Sequence, residues 1–118
     1  MTRRSRDVDH FLPLTPRVLL ILWGLDQGPQ HPYRLLRTAE ELGRGKVAIG
    51  PASLYEAIRA LRSKGLIEES EPPDDLPAPG PPRHYFQLTP FGRAVLHAEA
   101  GRIRDLAIDL RRRVPRRS

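Results

Sequence analysis

A mainly α-helical fold carrying one small β-hairpin is what this sequence predicts, and three observations lead there. Thr15-Pro16, Gly50-Pro51 and Thr89-Pro90 each stand before an apolar helical pattern. A Thr can cap the first turn, and proline suits the first helical position because its missing N–H is not needed there. Two short stretches, Leu66–Glu71 and Arg83–Leu88, flank the proline-rich run Pro72–Pro82. They read as strands joined by a stiff loop, since proline removes ladder donors and cannot occupy a strand interior. Finally, Leu96, Ile103 and Leu110 stand seven residues apart, the mark of a long helix with one apolar seam.

The chain has 118 residues, one domain's worth, and 39% of them are hydrophobic, enough to build a core. A net charge of +6 points to a polyanionic partner, nucleic acid ahead of a membrane surface. The absence of cysteine excludes disulfides and thiolate metal sites and fits a reducing cytoplasm, the expected location. No apolar run approaches the roughly 18 residues that a membrane span needs. The basic start Met1–Arg6 is followed by Asp7 and Asp9, and the apolar run Val18–Trp23 comes too late for a signal peptide.

Residues 1–12 read as a flexible basic arm, in which Arg3, Arg4 and Arg6 either follow a phosphate backbone or are simply solvated. The helix opened by Thr15-Pro16 is apolar nearly all round, so it belongs at the centre of the fold or at a subunit interface. Trp23 is placed in the core, with ligand stacking as the sharper alternative. Gln27–Pro32 is a turn, with His31 as a local cap or surface group. A second helix then runs from Pro32 to about Leu42, with Leu35, Leu36, Ala39 and Leu42 inward. Arg34 and Arg37 lie on its other sides, within reach of phosphate.

The connector Gly43–Gly50 carries Arg44 and Lys46, but Val47 stands where a Walker loop needs Ser or Thr. A nucleotide site is therefore rejected. Between Gly50 and Gly65, Leu54, Ile58 and Leu61 mark one apolar face, and Gly65 stops the helix. The opposite face carries Ala52, Tyr55, Glu56, Arg59 and Ser63, with Arg62 and Lys64 near its edge and end. Small residues first and arginine further along suit a DNA major groove, although an ordinary amphipathic surface helix has the same pattern. The last helix is expected from Phe91 to about Arg113, followed by a basic tail over 115–118. Its seam, Leu96, Ile103, Leu106 and Leu110, needs cover from a partner helix or from the protein's own first helix.

Helix, helix, helix, strand, proline-rich turn, strand, helix is the order of a winged helix-turn-helix. Three stretches resemble, more specifically, the PadR family of bacterial transcriptional regulators. Leu19–Leu25 with Gly28-Pro29 and His31-Pro-Tyr-Arg-Leu35 resembles the family's apolar first helix, Gly-Pro turn and His-Gly-Tyr helix start. Pro51-Ala-Ser-Leu-Tyr followed by Gly65-Leu-Ile67 resembles its Pro-Gly-Thr-Leu-Tyr and Gly-Leu-Ile pattern. Arg83-His-Tyr-Phe-Gln-Leu-Thr and Gly92 resemble its second wing strand and the Tyr-x-Leu-Thr-x-x-Gly join. Pro32 and Ala52 depart from it, each standing where the family has glycine.

The resemblance implies a DNA-binding domain over 13–88, with a wing loop at 72–82, and a dimerisation helix over 89–114, as in the family's short, single-helix subfamily. It implies a homodimer on a pseudo-palindromic operator of double-stranded DNA, acting as a repressor. Ser53 and Tyr55 would touch phosphate or base edges, Arg59 a base edge, and Arg62 and Lys64 phosphates. Glu56 would read cytosine or merely shape the face. Arg34, Arg37, Arg44 and Lys46 are further phosphate contacts. The wing's first strand is acidic, so wing contacts would fall to Arg83 and His84. Leu96, Ile103, Leu106 and Leu110 would pair the subunits. A small aromatic or hydrophobic effector is a further expected partner; no cofactor, metal or membrane is. His10, His31, His84 and His97 are scattered, so an enzyme is not expected. The rival reading is a winged-helix protein-interaction module without specific DNA binding.

Overall fold

The computed structural model describes residues 3–72 and 84–114, ordered as helix α1 (Arg3–His10), α2 (Pro16–Asp26), α3 (Pro32–Leu42), α4 (Pro51–Ser63), strands β1 (Ile67–Ser70) and β2 (Tyr85–Leu88), and helix α5 (Pro90–Arg113). The strands pair antiparallel, from Ile67 opposite Leu88 to Ser70 opposite Tyr85. The architecture is the expected one, mostly helical with a two-stranded wing. Of the wing loop expected at 72–82, residues 73–82 lie outside the described residues, as do Arg83 and the 115–118 tail.

The sequence gives no sign of Gln30's part in the sheet. Its backbone exchanges two 3.0 Å hydrogen bonds with Phe86, so the turn after α2 adds a third, one-residue rung beside β2. Its buried side chain donates to the Gly24 carbonyl at 2.5 Å and accepts from Thr38 Oγ1 at 3.0 Å. A buried amide satisfied in this way locks α2, α3 and the wing in one register.

The helix ends follow the signals in the sequence. Thr15 Oγ1 accepts from the Val18 N–H, and His31 Nδ1 caps α3 by accepting from the Tyr33 N–H. Past α4, Gly65 takes a left-handed φ of 78°. Its N–H reaches the Arg62 carbonyl, and the Leu66 N–H reaches that of Leu61, the two bonds of a Schellman stop. The wing joins α5 at the same place. Thr89 Oγ1 accepts from the Gly92 N–H at 2.9 Å and donates to the Gly65 carbonyl at 2.6 Å. A Cβ on Gly92 would lie 1.9 Å from the Leu66 carbonyl oxygen. Gly65, Leu66, Thr89 and Gly92 are therefore one joint, which is why both ends of the hairpin carry a glycine motif.

One core binds the elements: Ile21, Leu22 and Leu25 of α2, Leu35 of α3, Leu54, Ile58 and Leu61 of α4, Leu66 and Ile67, Phe86, and Val95 of α5. Each fully buried side chain of this size contributes roughly 1.5–3 kcal/mol. Three expectations are corrected. The N-terminal segment is not a loose arm over its whole length: Arg3–His10 is helical, Val8 is buried, and Phe11 meets Phe91 edge-on with ring centroids 5.7 Å apart. Trp23 is 41% exposed rather than in the core, because the inward positions of α2 are already filled by leucines and Ile21. Leu96 is buried within its own chain and does not lie on the exposed part of the seam.

Beside Leu96, the buried carboxylate of Glu99 ties α5 to the chain entering α2. It accepts from the Leu14 N–H at 2.7 Å and from Arg102 at 2.5 and 3.1 Å. The Arg102 hydrogen bond, helped by the Leu14 N–H, holds its carboxyl below the usual range in spite of burial.

Candidate nucleic-acid interface

Helix α4 is built to present one side outward. Leu54, Ile58 and Leu61 anchor it in the core, while Tyr55, Glu56, Arg59, Arg62, Ser63 and Lys64 are exposed. Ser53 is half-buried at the edge of this face. Arg59 has no hydrogen bond or ion pair among the described residues. It is an unpaired guanidinium in the middle of the outward face, free to make a bidentate contact.

Arg62 and His84 are placed differently. Both lean on Glu69 of β1, at 3.9 and 3.0 Å from its Oε1, and the Arg62 guanidinium sits 5.6 Å over the Phe86 ring. Glu68 is likewise engaged, accepting from Gln87 Nε2 at 2.9 Å. The acidic wing strand thus engages two of the side chains expected to face DNA. These pairs are half to three-quarters exposed, so each is worth at most about 1 kcal/mol and can be exchanged.

Around α4, Arg34 and Arg37 are exposed on α3, and Arg44 and Lys46 on the connector. Arg44 is left-handed, φ 53°, although Gly43 precedes it. Gly43 is needed elsewhere, since a Cβ there would lie 2.8 Å from Leu20 Cδ1. Between the start of α2, the connector and α4 opens a cleft of about 710 Å³ whose rim includes Arg17, Lys46, Ser53 and Glu56. Arg17 carries no motif that would have singled it out in the sequence. On α5, Ile103, Leu106 and Leu110 stand exposed with Val114, on the face that Leu96 and Glu99 bury further up. Among the described residues, no three His, Asp or Glu side chains are grouped to hold a metal ion, and no helix is long and apolar enough to cross a membrane.

Solved structures share the fold. A PadR family transcription regulator from Clostridium difficile superposes with a TM-score of 0.66 at 19% identity, covering 83% of this chain and 97% of that one. Bacillus subtilis PadR in complex with operator DNA gives 0.58 at 18% identity, covering 75% and 46%. A probable transcriptional regulator from Pseudomonas aeruginosa gives 0.64 at 25% identity, covering 96% and 77%. In sequence, an uncharacterised 37.1 kDa protein of a Streptomyces fradiae transposon is 33% identical over 82 residues, 70% of this chain but 21% of that protein. This chain thus spans only about a fifth of that relative's length. The model of the transcriptional regulator PadR-like family matches residues 21–98, from the middle of α2 through the wing and into α5, and the chain belongs to that family.

Proposed function

We propose that this protein binds an operator in double-stranded DNA as a homodimer and represses transcription, with the outward side of α4 in the major groove. The observation that carries this is the division of α4 into three buried apolar anchors and an exposed side on which Arg59 stands unpaired. Arg59 reads a base edge, Ser53 and Tyr55 contact the strand near the helix start, and Lys64, Arg34, Arg37, Arg44 and Lys46 meet phosphates. Arg62 and His84 join them only by leaving Glu69. Arg83 belongs to the same proposed set.

A homodimer accounts for the apolar stripe of Ile103, Leu106 and Leu110. Residues 102–114 are all exposed, so among the described residues the second half of a helix about 36 Å long is left uncovered. A second copy laid along it would place two α4 helices on successive major grooves. Support comes also from the operator complex of the B. subtilis relative. A gel shift with the DNA upstream of the protein's own gene tests the reading. About six neutralised phosphates predict a loss of affinity on the order of a thousandfold between 50 and 200 mM salt. Absence of any shift would leave the protein-interaction reading in its place.

A further inference from the structure

The cleft between α2 and α4 joins the start of α2 to the connector and α4 about thirty residues later, and α4 contributes one wall from residues bordering its outward side. Its floor is small and apolar, with Val18 and Ala57 among its members, so that a backbone can come close. Two cations stand on its rim, Arg17 and Lys46. Neither side chain makes a hydrogen bond or an ion pair among the described residues. Glu56, on the α4 side, leaves the rim one positive charge in excess. The cleft is open rather than enclosed, which suits a strand passing through it better than a small molecule held on all sides.

We propose that this cleft seats one sugar-phosphate strand of bound DNA, with Arg17 and Lys46 on successive phosphates and Ser53 donating its hydroxyl beside them. The proposal rests on the DNA-binding reading above and adds Arg17 to it. Glu56 repels phosphate from its own part of the α4 wall, which leaves Ser53, near the helix start, as that wall's contact. Because the contacts are to phosphate, they set affinity and position without reading sequence.

The test measures binding of the full-length protein to its upstream duplex and to a scrambled duplex across a salt series. For Arg17→Ala, affinity should fall several-fold at low salt for both duplexes alike. The slope of log affinity against log salt should become shallower by about 1.8, one phosphate's worth of about 0.9 for each subunit of the homodimer. Arg17→Lys should keep the wild-type slope. Arg104→Ala, on α5 and paired with Asp105, should also leave it unchanged. Arg17 is exposed, so folding should survive, and a thermal unfolding curve checks this. If Arg17→Ala keeps the wild-type slope while the wild type still shifts DNA, the cleft proposal is overturned and the α4 reading stands. If the wild type shifts neither duplex, both fall.

Discussion

Glu69 takes up both Arg62 and His84, although the carboxylate and its two partners come from different parts of the chain. Strand pairing places Glu69 opposite Phe86, over whose ring Arg62 lies. Replacing it, Glu69→Gln, should release both side chains and remove a negative charge near the strand. The expected result is several-fold tighter DNA binding at low salt, measured by anisotropy, with stability changed by at most about 1 kcal/mol. The two glycines of α5 make a second pair of tests. Gly92→Ala pushes a methyl into the Leu66 carbonyl and should destabilise at the upper end of the roughly 1–3 kcal/mol range for overpacking. Gly101→Ala meets nothing and should stabilise by about 0.5–1 kcal/mol. Denaturant midpoints distinguish them. The sequence showed the Thr89-x-x-Gly92 pattern; the reason for the glycine, a carbonyl across the joint, needed three dimensions.

Among the elements, those bounded by local chemistry were legible. Proline at the first turn and threonine or histidine caps gave α2, α3 and α5 almost to the residue, and Gly65 gave the end of α4. What depends on distant partners was not. Helix α1 is polar except for Val8, and only the packing of its end against α5 orders it. Glu99 looks misplaced on an apolar face until the Leu14 N–H, 85 residues away, is brought to it. This junction has a pH signature. A carboxyl whose folded pKa lies below its ordinary value of about 4.5 adds stability above that value and loses it as pH falls. Unfolding free energy should therefore decline on acidification below about pH 4.5, and part of that decline should vanish in Glu99→Gln. An unchanged acid limb in the variant would show that the junction contributes nothing.

At the scale of the molecule, the heptad spacing in the last helix combined two roles that the structure separates. Its first half packs on the protein's own α1 and α2, taking Leu96 with it, and its second half is left bare. Length and spacing alone could not say where one role gives way to the other. Leu106, 56% exposed, is the point at which to test the dimer. Leu106→Glu should yield monomers in sedimentation and weaken binding to a palindromic site far more than to a half-site. In the proposed interface, Arg59 is the residue that reads bases. The direct measurement is the ratio of affinities of wild type and Arg59→Ala for the upstream duplex against a scrambled one. A lost bidentate base contact in each subunit predicts a drop in that ratio of about 30-fold or more, with scrambled-DNA affinity nearly kept. An unchanged ratio, or equal weakening on both duplexes, would contradict it.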